Sequence, residues 1–450
     1  MRACATKGKY MTEKKSSKVP ASRLSRVGHI GSLAATLMGR SLLSGAGQLV
    51  QAKRPSLQNS VLTNENASSI AQQLSKMRGA AMKVGQMLSM DAGEFLPPHW
   101  EPILATLRAG ADSMPKSQLL ETLTREWGSN WPEHFEYFSF EPVAAASIGQ
   151  VHKARLKSGE VLAVKVQYPG VAQSIDSDIN NVGRLLKMSG MLPKEFEIDS
   201  ILSQAKQQLE NEADYIKEAE YISAYSKHLQ QDERFIVPSV YVPLSSASIL
   251  CMQFIEGEPI DTVMQRSEGE RSEVMTALFD LMLSELFEFQ LIQSDPNFAN
   301  YLYIPETQQI ALLDFGACQR ISEHNQTHYL AMAQAMQNQD KEAMKVAMYA
   351  LKLLHKNMPS DVESTILEAC LIASECLHQD DFNFKQSQLI KRLYDATQIL
   401  INNKKAIQSP DFDTALINRK ISGMVLLANK MQCAIPLRGI VTTKTLGTKC

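Results

Sequence analysis

Residues Phe289–Arg320, which read FQLIQSDPNFANYLYIPETQQIALLDFGACQR, decide the fold that this sequence predicts. Asp295 is followed five positions later by Asn300, and an Asp-Phe-Gly triplet begins at Asp314 after a short apolar run. In a phosphoryl-transfer site one acid orients the attacking hydroxyl or water, while an amide oxygen and a second carboxylate bind Mg²⁺, which prefers hard oxygen ligands. We therefore predict Asp295 as a catalytic residue and Asn300 and Asp314 as metal ligands.

Either half of this pattern is weak on its own, because three common residues such as Asp-Phe-Gly recur by chance in turns. The alternative is a polar hairpin with a capping Asp and a turn. The spacing of the two halves, together with the apolar strand that leads into Asp314, favours the kinase-like interpretation.

The composition is that of an ordinary globular protein, with 44% apolar and 21% charged residues in a chain of 450 that has room for two or three domains. The net charge of −2 conceals a basic start, because residues 1–54 hold eleven Lys or Arg and one acid, 11 − 1 = +10. Such a leader either binds anionic lipid or nucleic acid or stays solvated, and we predict that residues 1–60 are largely disordered.

The sequence predicts a reducing compartment and no membrane-spanning helix. The seven cysteines are scattered without a Cys-x-x-Cys pair, which favours neither a zinc site nor a disulfide framework. No apolar run reaches the ~18 residues of a spanning helix, and the nearest candidate, residues 28–52, is interrupted by Arg40. We therefore expect a cytoplasmic protein whose contact with a membrane, if it has one, is peripheral.

Lys165 is the anomaly in a predicted strand, turn and strand. Residues 147–156 are predicted as the first strand, 157–160 as the turn, and Val161–Val166 as a buried β-branched strand. A lysine inside such a strand needs a partner, because lysine is almost never buried alone. In a kinase-like lobe it pairs with the α/β-phosphates of ATP and with a carboxylate on a helix. The alternative is an edge strand whose lysine amine lies in water.

The helix that would supply this carboxylate is predicted over residues 199–228. Glu218 is the best candidate, because it comes late in the helix beside the apolar stripe. Glu212 and Asp214 would lie about 200° apart around an unbroken helix and could not both face one ligand. For each of these acids the alternative is a solvated helix face.

Ala144, Ala145, Ala146 and Ser147 stand where a glycine-rich phosphate loop would precede Lys165. Their backbone N–H groups can point at phosphates, but Cβ atoms disfavour the positive φ angles that glycine allows. We therefore expect the nucleotide to bind differently from the way it binds under a glycine-rich loop, and turnover to be restrained.

Apolar residues at three- and four-residue steps predict a helix that starts near Asn66, and Lys83 and Gln86 share one of its faces. Gly85 between them costs ~1 kcal/mol of helix stability relative to alanine, unless something must approach closely. The two side chains either reach into a phosphate site or are solvated on an amphipathic helix, and on the helix alone the second alternative is the commoner.

The other predicted elements carry no chemistry, and we interpret the chain after Arg320 as packing scaffold. They are strands at 240–243 and 248–254 and helices at 101–110, 116–127, 271–292, 323–357, 363–378, 385–403 and 412–431.

Taken in order, these motifs resemble those of the UbiB (aarF-domain) atypical kinase family. They are Lys83-Val84-Gly85-Gln86, the alanine-rich loop, Lys165, Glu212-Ala213-Asp214, and Asp295 with Asn300 followed by Asp-Phe-Gly. The resemblance covers about residues 65–435. Its Lys-x-Gly-Gln and AAASIGQVH elements are far more specific than Asp-Phe-Gly alone.

The resemblance implies an α+β, two-lobed protein-kinase-like fold with a small β-rich N-lobe, added N-terminal helices and a helical C-lobe. The expected domains after the leader are a helical extension over 61–130, the N-lobe over 131–255, and the C-lobe with the catalytic loop over 256–450.

The resemblance also implies roles for individual residues. Asp295, Lys165 and Glu218 would be catalytic, and Asn300 and Asp314 would bind Mg²⁺. The residues expected to bind ATP or ADP are Ala144, Ala145, Ala146, Ser147, Lys165, Lys83, Gln86, Glu212 and Asp214.

The helical extension is expected to fold over the nucleotide site, with Lys83 and Gln86 meeting Glu212 and Asp214, and a segment placed there would block a protein substrate. Ser294 replaces the Arg that precedes the catalytic Asp of ordinary protein kinases, which counts against control by activation-loop phosphorylation. The resemblance thus implies an Mg²⁺-dependent ATPase or small-molecule phosphotransferase that supports ubiquinone or other prenyl-lipid biosynthesis. The alternatives are a Ser/Thr protein kinase and a nucleotide-binding scaffold without significant turnover.

The expected partners are the nucleotide, a lipid or membrane surface, and enzymes of lipid biosynthesis, with no nucleic acid. Some family members have hydrophobic C-terminal spans, but residues 412–450 contain Lys and Arg throughout. Contact with the inner face of a membrane would therefore come from the basic leader or from an exposed face.

Overall fold

The computed structural model describes residues 78–91, 114–188, 198–402 and 410–447. The predicted leader and the helix predicted at 101–110 lie outside the described residues. The described chain divides into two units. The first runs to Ile216 and includes Tyr241–Phe254, and the second comprises Lys217–Val240 and the residues from Ile255 onward.

The helices and strands of the described residues are numbered here in chain order. The helices are α1 (Arg78–Asp91), α2 (Lys116–Trp127), α3 (Val171–Met188), α4 (Ile198–Glu212), α5 (Tyr215–His228), α6 (Glu268–Ser284), α7 (Glu323–Asn338), α8 (Lys341–Ala350), α9 (Ser360–Ser374), α10 (Phe384–Ser387), α11 (Leu389–Asn402), α12 (Phe412–Met431) and α13 (Leu437–Gly447). The strands are β1 (Phe135–Phe138), β2 (Ala144–Ala145), β3 (Gly149–Leu156), β4 (Val161–Gln167), β5 (Phe235–Ile236), β6 (Ile249–Gln253), β7 (Glu258–Pro259), β8 (Leu291–Gln293), β9 (Tyr301–Ile304), β10 (Gln309–Leu312), β11 (Cys318–Arg320), β12 (Phe382–Asn383) and β13 (Ala434–Ile435).

The first unit contains an antiparallel sheet in the order β1-β3-β4-β6, with β2 beside β3. Strand β4 lies between two neighbours and is buried along nearly its whole length, as the β-branched run Val161–Val166 predicts. The turn before it contains Gly159 at φ 105°, a left-handed conformation that favours glycine. The predicted strand, turn and strand are confirmed, although the first strand begins at Gly149 rather than at Ser147.

Four aromatic rings hold helix α2 against this sheet. Trp127, Trp131, Phe135 and Phe138 have ring centroids 5.4 to 6.5 Å apart. The Trp127 indole N–H also donates to the Leu244 carbonyl at 2.9 Å. Tilted and edge-to-face ring pairs contribute about 0.5–1.5 kcal/mol each beyond the area they bury. The cluster therefore fixes the side of the sheet on which α2 packs.

The single helix predicted over 199–228 is wrong, because Ala213 and Asp214 separate α4 from α5. Gln167 of β4 holds the break: its side-chain amide donates to the Ala213 carbonyl at 2.7 Å and to the Ala247 carbonyl at 3.1 Å. A side chain that takes over a helix carbonyl interrupts the helical hydrogen-bond ladder. The angle expected between Glu212 and Asp214 in an unbroken helix therefore does not apply.

The second unit is mainly helical and holds short sheets around the Asp295 stretch. Strands β9 and β10 form the predicted hairpin, with β5 beside β10 and β7 beside β9. Strand β8, just before Asp295, pairs with β11, which follows Gly316. Both ends of the stretch from Asp295 to Gly316 are therefore held by one antiparallel pair.

Several predicted elements differ from the structure, and one of them, the helix predicted over 385–403, is divided at Gln388 into α10 and α11. The helix predicted over 271–292 ends at Ser284 and is followed by one π turn, Glu285–Phe289, before strand β8. The helix predicted over 323–357 is divided, because the Asp340 side chain caps α8 by accepting from the Ala343 N–H at 3.0 Å. The strand predicted at 240–243 is a 3₁₀ turn at Val242–Leu244, whose proline has no N–H to donate to a ladder.

The helix predicted over 412–431 has the same bounds as α12. None of the described helices combines the length and the apolar character that crossing a membrane requires.

His152 is buried on β3, and both of its ring nitrogens have partners. Nδ1 lies 2.8 Å from the Ser139 carbonyl oxygen and must donate to it, so a neutral ring accepts at Nε2 from the Gln150 amide, 2.8 Å away. The Gln150 Oε1 in turn accepts from the Met114 N–H at 2.9 Å. Burial lowers the pKa of His152 from 6.5 to about 4.

Acidification should therefore destabilise the protein through His152. Because the folded pKa lies below the unfolded one, the unfolded chain binds a proton that the folded chain excludes, and stability is lost as the pH falls from 6.5 towards 4. The difference, 6.5 − 4 = 2.5, corresponds to ~3 kcal/mol. Urea unfolding at pH 7 and pH 4.5 measures this loss. It should shrink in His152→Asn and persist in the control His134→Asn, which changes an exposed histidine.

Candidate active site

Lys165 is buried in strand β4, where it lies between Val151 of β3 and Leu250 of β6. Its ammonium nitrogen is 5.2 Å from the centre of the Tyr215 ring. A cation over an aromatic face in a desolvated site gains ~2 kcal/mol. The alternative of an edge-strand lysine with its amine in water is therefore wrong.

Glu218 is buried in the first turn of α5, with 1% of its surface exposed. It stands three residues after Tyr215, so both side chains lie on one face of the helix. A buried carboxylate requires a cation or hydrogen-bond donors, which excludes the alternative of a solvated helix face. The pairing of Glu218 with Lys165 stays a prediction.

The Glu212 carboxylate is the centre of a buried polar cluster in the first unit. Lys83 Nζ lies 2.5 Å from its Oε1, and the Ser147 hydroxyl donates to its Oε2. The Lys83 and Glu212 side chains are 4% and 8% exposed, so neither is solvated. The structure thus brings together three of the residues predicted to bind the nucleotide.

Gly79 allows helix α1 to approach the alanine-rich loop closely. A Cβ atom built on Gly79 would lie 2.4 Å from the Ser147 carbonyl oxygen, closer than real Cβ atoms approach. Gly79 precedes Lys83 by four residues, so the two share one face of α1. The same face therefore presents a glycine to the loop and an ammonium group to Glu212.

Of the two predicted pairings, the structure places Lys83 with Glu212. Gln86 is half-buried on α1, and Asp214 is exposed in the break between α4 and α5. Their meeting stays a prediction.

The alanine-rich loop is partly a strand. Ala144 pairs with Val151 and Ala145 with Gln150, which forms β2 beside β3. The Ala146 N–H then donates to the Gly149 carbonyl at 2.9 Å and closes a tight turn. Antiparallel pairing places these alanines in extended backbone, which needs no glycine. The loop is therefore held in place by the sheet itself.

In the second unit, the loop from Asp295 to Asn300 is closed by its own polar groups. The Asn300 side-chain amide donates to the Asp295 carbonyl at 3.0 Å, and the Ala299 N–H donates to the Asn297 side chain at 3.1 Å. Before the loop, the Ser294 hydroxyl donates to the Ala317 carbonyl at 2.8 Å. Ser294, at the position that holds Arg in ordinary protein kinases, is therefore buried and connects the end of β8 to the start of β11 by a hydrogen bond.

Asp314 reaches the same loop through the backbone. The Leu313 N–H donates to the Asn300 carbonyl at 3.0 Å, which brings the residue before Asp314 against the end of the Asp295 loop. The Asp314 Oδ1 accepts from the Gly316 N–H at 3.0 Å. Phe315, between them, is 1% exposed. The Asp-Phe-Gly triplet therefore forms a turn with a buried centre and a half-exposed carboxylate.

These residues fit a magnesium ion. The Asn300 amide nitrogen is engaged with Asp295, which leaves its Oδ1 as the atom offered to a metal. The Asp314 carboxylate, one oxygen of which accepts from the Gly316 N–H, adds a negatively charged oxygen ligand. Both are hard oxygen donors, and Mg²⁺ bound by one or two protein groups completes its shell with phosphate oxygens and water.

Sequence reasoning missed the contacts that hold the first unit's residues in place. No motif in the sequence marks Gly79 or Tyr215, and the alanine-rich loop predicts that Ser147 faces phosphate rather than a carboxylate. Two local signals point to them: Gly79 lies one helical turn before Lys83, and Tyr215 directly follows Asp214. The bond from Gln167 to Ala213 spans 46 residues and leaves no local signal.

Comparisons with known proteins give one family and one fold. The family model described as ABC1 atypical kinase-like domain matches residues 106–348. The Danio rerio protein named Atypical kinase COQ8B, mitochondrial, is 35% identical over 431 residues, which cover 95% of this chain and 69% of the relative. Atypical kinase COQ8, mitochondrial, of Saccharomyces cerevisiae is 33% identical over 424 residues, covering 94% and 84%. The Mycobacterium tuberculosis protein Rv3197, solved with erythromycin, shares the fold at a TM-score of 0.57 and 24% identity, covering 84% of this chain and 94% of its own.

Breaking the buried Lys83–Glu212 pair should cost far more stability than breaking an exposed pair in the same unit. Lys83→Met leaves a buried carboxylate without its cation and should cost about 3 kcal/mol. Lys187→Met breaks the exposed Lys187–Asp199 pair, whose side chains are 52% and 78% exposed, and should cost under ~1 kcal/mol. Urea unfolding measures both costs.

The double variant Lys83→Met/Glu212→Gln removes the unpaired charge and should recover most of the loss. If Lys83→Met and Lys187→Met lower the free energy of unfolding equally, burial of the Glu212 carboxylate does not depend on its pairing with Lys83.

Proposed function

We propose that this chain, which belongs to the family of ABC1 atypical kinase-like proteins, is an Mg²⁺-dependent enzyme that transfers the γ-phosphoryl group of ATP to water or to a small molecule. The observation that carries the proposal is the joint placement of Asp295, Asn300 and Asp314 by the Asn300–Asp295 and Leu313–Asn300 hydrogen bonds. One carboxylate to orient a nucleophile and two oxygen ligands for a divalent ion are the minimum that phosphoryl transfer requires.

In this proposal each residue has a distinct task. Asp295 orients the attacking hydroxyl or water, and Asn300 and Asp314 hold Mg²⁺, which when bound neutralises charge on the phosphates. Lys165 binds the α- and β-phosphates and is held by Glu218. Burial of Lys165 supports its part, because a desolvated ammonium group interacts more strongly with phosphate than an exposed one does.

Three features support a small acceptor rather than a protein. Lys83 on α1 pairs with Glu212 next to the alanine-rich loop, in the unit that also holds Lys165. Residues 317–322 alone separate Gly316 from helix α7, which is too short for an activation segment. Ser294 is occupied as a donor to the Ala317 carbonyl. The Ser/Thr protein kinase is therefore the weaker alternative.

The scaffold alternative is also weaker, because the chemistry-bearing residues Lys165, Asp295, Asn300 and Asp314 are all present. Loss of a metal ligand is the simplest way for such a site to become inactive. A chain that only held partners would have no need of these four side chains together.

We further propose that the enzyme supports ubiquinone or other prenyl-lipid biosynthesis, bound peripherally to a membrane face and in contact with enzymes of that pathway. Two relatives are named as mitochondrial atypical kinases, and the resemblance to the UbiB family points to prenyl lipids. The +10 charge of residues 1–54, 11 − 1, is of the sign that anionic lipids attract.

Asp295→Asn should lower ATP-dependent phosphate release by roughly 10²–10⁴-fold, because the amide cannot accept the proton of the nucleophile. The matched control is Asp381→Asn, the same change at an exposed position of the second unit, which should leave release unchanged. Release is measured with and without vesicles containing anionic lipid, and vesicles should increase it in the wild type.

Equal release by wild type and Asp295→Asn would remove the proposed function. Label transferred from ATP to added proteins would instead favour the protein kinase.

Asp314→Asn should raise the Mg²⁺ concentration for half-maximal release at least about tenfold, since one charged ligand is replaced by a neutral one. Asp381→Asn is again the control, and chelation of Mg²⁺ should abolish release in every variant. A Mg²⁺ dependence that is the same in Asp314→Asn and wild type would contradict the assignment of Asp314.

A further inference from the structure

Helix α12 lies against the catalytic loop, more than one hundred residues away in sequence. A Cβ built on Gly423 would lie 2.1 Å from Pro296 Cγ and 2.4 Å from Pro296 Cβ, so the helix backbone touches the residue next to Asp295. Lys430 Nζ lies 5.1 Å from the centre of the Phe298 ring. Helix and loop therefore meet at two points within this unit.

A third contact lies at Lys420, which is 1% exposed. Its ammonium group donates to the Tyr301 hydroxyl at 3.3 Å and lies 3.3 Å from Glu285 Oε2. Tyr301 directly follows the metal ligand Asn300. Burial alone would lower the pKa of Lys420, but Glu285 and Tyr301 raise it above its ordinary value, so the lysine is a cation.

The three contacts lie on one face of α12. At 100° per residue, Gly423 and Lys430 fall within about 80° of Lys420 around the helix axis. The other side of the helix is fixed independently, because the Tyr329 hydroxyl of α7 donates to the Asn418 side chain at 2.8 Å. The helix is thus held from behind while one face supports the loop.

Glu285 extends the support to a second element. Its Oε1 accepts from the Tyr225 hydroxyl of α5 at 2.9 Å, and the Tyr225 ring is 5.0 Å from the ring of Phe315. Lys420 therefore contacts the end of the catalytic loop directly, through Tyr301, and is connected through Glu285 to Tyr225, which packs on the Asp-Phe-Gly turn.

We propose that α12 is the platform that sets the position of Asp295, with Gly423 and Lys420 as positioning residues. Gly423 permits the close approach to Pro296, and Lys420 holds the far end of the loop through Tyr301. Displacement of a catalytic group by about 1 Å is enough to lower kcat strongly without changing how the substrate is bound. The activity readout of this inference rests on the proposed function.

The test compares two helical glycines of the same unit. Gly423→Ala adds a methyl group against Pro296, and Gly439→Ala adds one where no atom lies within 4 Å. Gly423→Ala should lower kcat for phosphate release at least about tenfold, with KM for ATP changed less than threefold. Gly439→Ala should leave both unchanged.

Tyr301→Phe is the second variant, because it removes only the hydroxyl that accepts from Lys420 and keeps the ring. It should lower kcat with KM for ATP unchanged, and it decides the question if Gly423→Ala does not fold.

Hydrogen exchange followed by mass spectrometry gives a readout that does not need activity. Amides of residues 294–303 should exchange faster in Gly423→Ala than in Gly439→Ala, while residues 360–374 of α9 exchange equally and serve as the internal reference. The proposal that α12 positions Asp295 would be overturned if Gly423→Ala changed neither kcat nor hydrogen exchange. It would also be overturned if Tyr301→Phe kept the wild-type kcat. If the wild type shows no release that depends on Asp295, the proposed function fails instead, and the exchange comparison alone decides the platform.

Discussion

The hydrogen bond from the Leu313 N–H to the Asn300 carbonyl, 3.0 Å long, is the contact on which the candidate site of the second unit depends. Asn300 uses its backbone to hold the Asp-Phe-Gly strand and its side-chain amide to hold the Asp295 carbonyl. One residue therefore sets the spacing among three oxygen-bearing side chains. A serine or alanine at that position would lose both the hydrogen bond to Asp295 and the side chain that we propose as a metal ligand, so one substitution there cannot separate the two roles.

How far the sequence predicts this protein depends on how local each signal is. The buried strand with Lys165 and the hairpin between Asn300 and Asp314 follow from β-branched runs and turn residues, and the structure has both. The break after Glu212 depends on Gln167, and the packing of α12 depends on Pro296 meeting Gly423. Periodicity describes which face of an element is apolar, but it does not show which distant side chain will end or support that element.

Buried charges explain why the helical region after Arg320 is more than scaffold. Lys420 and Glu285 are each 1% exposed, and an ion pair in such a place adds little net stability, because desolvation offsets most of its attraction. What the pair contributes is geometry, since either charge alone would be costly and the two must meet in one arrangement. The Tyr225 and Tyr301 hydroxyls restrict that arrangement further.

The first unit uses a buried charge in a different way, because there the cation is Lys83, which the resemblance to the UbiB family predicts as a nucleotide-binding residue. Lys83 and Ser147 both bind Glu212, and Gly79 and strand β2 hold the Ser147 loop from two sides. A phosphate that recruited Lys83 would have to supply the negative charge that Glu212 now supplies, or leave that carboxylate buried without its cation. Nucleotide binding through Lys83 would therefore exchange the Glu212 carboxylate for a phosphate as the partner of this cation. The free energy of binding gained in this way is smaller than a new contact between Lys83 and phosphate alone would give.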